Sequence, residues 1–208
     1  MATKKKEEVT MMEIPEIKVE TMKVTVVGDS PLIVHKWSEK AKKEMLDKQM
    51  KKASAGKEAK DPWVDYCDSM YWLTGEPEDY PTQEDIDNAS FGFPACAFKA
   101  CAIDAGYQQG LIPKKTTARG AFHIIGDLVE IEGKPSMRED MVRIGQGTAD
   151  IRYRAEFREW KATLMIRYNP KAMSAEQIVN LLNMGGFSNG IGEWRPSKDG
   201  SFGTFHCE

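Results

Sequence analysis

The chain has 208 residues, 41% of them hydrophobic, enough for one packed domain, and no apolar run reaches the ~18 residues that a membrane-spanning helix needs. Its 29 Lys and Arg against 32 Asp and Glu give a formal net charge of −3, which does not mark it as a uniformly basic nucleic-acid binder. The start, MATKKKEEVT, has lysines but no apolar stretch behind them, against a secretory signal, and Cys67, Cys96, Cys101 and Cys207 lack Cys-x-x-Cys spacing, against zinc.

Residues 1–17 read as a flexible arm ahead of a single domain over 18–208. Lys23 to Gly28 predicts a strand with Val24 and Val26 on one face, Gly28-Asp29-Ser30-Pro31 a turn, and Leu32 to Val34 an extended continuation. Ser38 is placed to cap a helix over about 39–52. An insertion follows at about 53–90: a small, basic loop, a helix over 63–73 carrying Trp63, Tyr66, Met70 and Tyr71, and an acidic surface segment over 74–90. Charge is segregated here. Residues 36–60 hold nine lysines and four acids, whereas residues 61–98 hold nine acids and no Lys or Arg. Such blocks steer polyanions, pair across subunits, or simply solvate a helix face.

Phe93-Pro94 is expected to open the next helix, with Phe98, Cys101, Ala102 and Ala105 as its buried stripe and Lys99 off that stripe. From Ala121 onward strands take over: Phe122 to Ile125, Leu128 to Ile131, a partly alternating 141–155, and Ala162 to Tyr168 as the cleanest. Ser174 and Gln177 form a capping box before an apolar stripe of Ile178, Leu181 and Leu182, and Gly185-Gly186 is expected to stop that helix. Four more glycines, Gly190, Gly192, Gly200 and Gly203, precede a last strand over Ser201 to His206. Such a loop either presents backbone N–H groups to a phosphate or makes ordinary tight turns. The order of elements predicts an α+β sandwich, a β-α-β-β-α-β unit with an inserted helical and acidic segment and a protruding hairpin.

Three segments in this order resemble the RAMP superfamily, the RRM-like (ferredoxin-like) proteins that build CRISPR effector backbones. Val24 to His35, VTVVGDSPLIVH, resembles that family's opening strand with its Pro-Leu pair. Phe93 to Ala102, FPACAFKACA, is similar to its helix start, although Ala95 and Cys96 stand where the family has serine or threonine. Gly185 to Phe205 is similar to its glycine-rich loop. The whole chain is also similar to proteins encoded by bacteriophages and prophages. The resemblance implies a non-catalytic, oligomerising binder of single-stranded nucleic acid, RNA or DNA, acting in the host cytoplasm. It needs no cofactor, metal or membrane.

It further implies that Lys99, Gly185, Gly186, Ser188, Asn189 and Gly190 face phosphates and that Arg143, Arg152, Arg154 and Arg158 line the hairpin. Phe187 and Trp194 are then platforms for bases, the alternative being two core residues, while Arg195 and Lys198 supply further cations, Arg195 serving equally well in a salt bridge. Two other functions remain open. One is an assembly protein that ignores nucleic acid, for example one aimed at a host defence complex. The other is a metal-independent ribonuclease, for which the resemblance singles out His35, just past the first strand. No P-loop or nucleophile elbow is present.

Overall fold

Residues 14–37, 39–52, 59–77, 80–144 and 147–208 are described in this computed structural model. The first half runs β1 (Glu20–Gly28), β2 (Leu32–Val34), α1 (Glu39–Gln49), α2 (Pro62–Asp68), β3 (Tyr71–Trp72), α3 (Gln83–Asn88), β4 (Phe91–Pro94) and α4 (Ala95–Gln108). The second runs α5 (Lys115–Arg119), β5 (Phe122–Ile124), β6 (Leu128–Glu132), β7 (Pro135–Ile144), β8 (Thr148–Phe157), β9 (Lys161–Tyr168), α6 (Ala175–Ser188), a short 3-10 turn (Pro196–Lys198) and β10 (Phe205–Cys207). Most of the expected arm, residues 1–13, lies outside the described residues, as do Ser38, 53–58 and 78–79.

The larger sheet has the order β10-β1-β9-β6-β4-β3 with β5 also on β9, and every neighbouring pair is antiparallel. Taken without the insertions, β10-β1-β9-β6 is the fourth, first, third and second strand of a β-α-β-β-α-β unit. The fold is therefore ferredoxin-like α+β. β5 and β6 together fill the second-strand place, interrupted at Gly126, whose φ is +92°. β9 shows why the register holds: Ala162, Leu164, Ile166 and Tyr168 are buried while Lys161, Met165 and Arg167 face outward, so a one-residue slip would invert the whole face.

The capping box of α6 is complete: the Ser174 hydroxyl accepts from Gln177 N–H and the Gln177 side chain accepts from Ser174 N–H. The helix does not stop at Gly185-Gly186, as expected, but continues to Ser188. Both glycines are buried within it because α4 and β10 come too close for side chains. A Cβ on Gly185 would lie 2.8 Å from the Ala102 backbone nitrogen, and one on Gly186 would collide with the Phe205 carbonyl. Phe98 packs between Phe93 and Phe205, with ring centroids 6.2 and 5.7 Å away.

Three other expectations change. The helix over 63–73 ends at Asp68, and Tyr71–Trp72 pairs with Phe91–Gly92 as a strand. Phe93-Pro94 leads into the helix, with Pro94 as the N-cap of α4, but it also closes a strand, because Phe91–Pro94 hydrogen-bonds to β6. The acidic segment contains α3, capped by Thr82 and Asp85. The partial alternation over 141–155 belongs to two ten-residue strands, β7 and β8, joined in a long ribbon whose register runs from Pro135↔Phe157 to Ile144↔Thr148. With β2 this ribbon makes a separate sheet of order β2-β8-β7. Among the described residues no helix is long and apolar enough to cross a membrane.

Candidate functional site

A cleft of about 270 Å³ opens where α4, the ends of β2 to β4 and the glycine-rich loop meet. Ala97, Ala100, Cys101, Asp104 and Gln108 follow helical spacing, so one face of α4 forms its first wall. His35, Tyr71 and Phe93 come from the strand ends, and Asn189 to Glu193, Arg195 and Ser197 come from the loop.

The loop itself is rigid by construction. Gly190 N–H donates to Gly185 O at 3.0 Å, Ile191 to Gly203 O at 2.9 Å, Glu193 to Ile33 O at 3.0 Å and Gly203 to Pro31 O at 2.8 Å. These amides are spent on the chain's own carbonyls. The N–H cradle expected at Gly185, Gly186, Asn189 and Gly190 is consequently not on offer, and all four residues are buried. The Asn189 amide donates to Cys101 O at 3.2 Å and ties the loop to α4, and Ser188 Oγ donates back to Met184 O at 2.8 Å.

The aromatic residues behave differently. Phe187, on the last turn of α6, is 82% exposed and Trp194, in the loop, is 40% exposed. Neither is a core residue. Between them in the chain lies the loop segment that lines the cleft, and Lys198 stands exposed just beyond. Arg195 is held with its Nη1 on Gly192 O at 2.7 Å and its Nε on Ser197 Oγ at 3.0 Å.

The other expected cations do not converge on this cleft. Lys99 points to the far side of α4, where its ammonium donates to Arg119 O at 2.7 Å and meets His123 Nδ1 at 3.2 Å; burial and then Arg119 lower its pKa. Arg143 is exposed at the outer end of the ribbon. Arg152 lies 3.6 Å from Asp150, and Arg158 is exposed at the ribbon's base, 3.3 Å from Glu156. Arg154 is only 4% exposed and cannot reach a strand; its guanidinium spans Asp140 at 3.4 Å and Glu193 at 3.9 Å.

The sequence reading missed this buried charge network. Arg138 binds both Asp140 and Glu156 at 2.8 Å and stacks over the Phe202 ring at 4.6 Å, so one face of the ribbon rests on the C-terminal loop. The signal was there in the i, i+2 placement of Arg138 and Asp140 on β7 opposite Arg154 and Arg152 on β8. Also missed were Asp104 and Glu193, which put carboxylates into the cleft.

His35 Nδ1 lies 3.9 Å from Glu193. Burial foremost, then the nearby Arg154, pushes its pKa below the usual 6.5, so the imidazole is neutral at pH 7. Burial also pushes the Cys101 thiol up to about 12, which removes it as a nucleophile.

No protein-family model matches the chain, and no curated protein matches it by sequence. Among solved structures it is similar to the crystal structure of Cmr6 from Pyrococcus furiosus, at 8% identity and a TM-score of 0.44, over 92% of this chain and 99% of that one.

Proposed function

We propose that this protein binds single-stranded nucleic acid without catalysing a reaction, largely independently of sequence, and that copies associate along the strand. The observation that carries the reading is the exposure of Phe187 and Trp194, which flank the cleft-lining loop segment in the chain, with Arg195 and Lys198 just beyond Trp194. Large aromatics normally gain about 1.5–3 kcal/mol by burial, so two left in water offer faces on which bases can stack. The exposed Arg143 adds a cation at the outer end of the ribbon.

Fluorescence anisotropy with labelled single-stranded RNA and DNA at increasing salt tests the reading. Binding should weaken steeply from about 50 to 200 mM salt, and Phe187→Ala should cost about 1–3 kcal/mol of affinity. Absence of binding to either polymer at low salt overturns it.

One observation favours pure self-assembly instead. Met137, Met141 and Ile151 lie exposed on one face of the β7–β8 ribbon, a surface suited to a second copy. Light scattering before and after nuclease treatment separates the two: particles that keep their mass after digestion, and ignore added strands, belong to this second reading. The ribonuclease reading is tested by His35→Ala in a metal-free cleavage assay, where intact RNA with the unaltered protein dismisses it.

A further inference from the structure

The cleft holds two carboxylates, each beside a cation: Asp104 pairs with Lys115 at 2.8 Å and Glu193 lies 3.9 Å from Arg154. The Asp104 and Glu193 side chains are 42% and 43% exposed, and Arg195 lines the cleft with them. Carboxylates only accept hydrogen bonds, so a group that enters beside them must offer donors. Tyr71 and Phe93, packed edge to face with centroids 6.1 Å apart, give that entrant an aromatic wall. The volume of about 270 Å³, just below the range of ordinary ligand pockets, suits an entrant no larger than a single base.

The donors and acceptors inside narrow the choice. Glu193 meets His35 and Arg154 only at 3.9 Å, beyond hydrogen-bond distance, so those two contacts leave its carboxylate oxygens open to a donor. Asp104 is paired with Lys115 at 2.8 Å but, as a carboxylate, retains further acceptor capacity. Arg195 uses Nη1 and Nε within the loop, and those bonds do not use its Nη2 donors. A base with two adjacent donors on one edge and two adjacent acceptors on another would satisfy both groups.

We infer that the cleft takes one guanine base turned out of the bound strand, its N1–H and N2 amino group donating to Glu193 and its O6 and N7 accepting from Arg195. This rests on the strand-binding reading and deepens it: a chain that grips most sequences alike has one position where guanine is preferred. Adenine and cytosine set an acceptor beside their amino group, which a carboxylate repels, and uracil offers a single N–H between two carbonyls.

The test compares short labelled oligouridine strands with the same strands carrying one central guanine, at equal salt. The single guanine should tighten binding about tenfold, and Glu193→Gln should bring that ratio close to one, since its amide sets a donor against guanine N1–H. Calorimetry of the unaltered protein with guanosine monophosphate and uridine monophosphate needs no variant, and should show the same tenfold preference. If oligouridine binds and guanine adds nothing in either assay, the guanine site is wrong and strand binding stands. If guanosine monophosphate is selected but no strand of any sequence binds, the strand reading falls and the cleft remains a guanine site.

Discussion

The two sheets share one apolar core, into which β2 and β8 send Leu32, Val34, Ala155 and Phe157, but the outer ribbon is held differently from the rest. The ferredoxin-like sheet and its two helices close on apolar contacts: Val26, Phe98, Ala102, Leu164, Ile166 and Leu182 are fully buried, and Gly185 and Gly186 let α6 press directly on α4 and β10. The β2-β8-β7 sheet docks its outer ribbon through charge, with Arg138, Asp140, Arg154 and Glu156 interlocked and Arg138 resting on Phe202. Apolar burial is non-directional and tolerates wholesale contact; a buried ion network is favourable only while every member keeps its partners. The difference assigns the first region to stability and leaves the second as the element whose position depends on its surroundings.

The sharpest attack on the apolar region is Phe98→Ala. It should cost about 3–5 kcal/mol and shift the denaturant midpoint of the whole protein. Asp140→Ala should cost about 3 kcal/mol by leaving the buried Arg154 with only Glu193, 3.9 Å away. Its signature is local: amide exchange in β7 and β8 should accelerate by a larger factor than in β1 and β9. Equal acceleration in both sheets would break the division drawn here. Ser174→Ala removes an N-cap bond and should lower stability by about 1 kcal/mol, with fraying confined to the first turn of α6.

The smallest effect is a pH dependence at the junction of the two regions. Burial, then Arg154, with Arg152 adding and with Glu193 and Asp65 opposing, holds His35 below its ordinary 6.5 in the folded chain. The unfolded chain thus takes up the proton first. Stability from this group is complete above 6.5 and declines as pH falls from there toward the folded value, where the loss ends. Melting temperatures of the unaltered protein between about pH 7.5 and 5 should fall more steeply than those of His35→Gln. Parallel slopes would show that His35 plays no part.

The cleft divides in the same way between what the chain shows unaided and what it hides. Phe187, Trp194, Arg195 and Lys198 stand out in the sequence as a loop's aromatics and cations, and the fold leaves the two aromatics exposed. Arg154 was indistinguishable from Arg143 or Arg152 until Asp140 and Glu193 arrived beside it from distant segments. Asp104 reads as one more solvated helix acid until the loop closes over that face of α4.

What the sequence determined alone is whatever a few neighbouring residues decide. The Ser174–Gln177 box starts α6, the alternation of Ala162, Leu164, Ile166 and Tyr168 makes β9, and their order along the chain gives a β-α-β-β-α-β unit. Only the tertiary structure decided that Gly185-Gly186 is a helix contact and not a helix end, and that Phe91–Pro94 is a strand. It alone decided that the loop's amides bond to the protein itself. In each of those cases the deciding partner, Ala102, Phe205, β6 or Ile33, lies far away in sequence. Backbone hydrogen bonds and close contacts across such distances leave no periodicity to read.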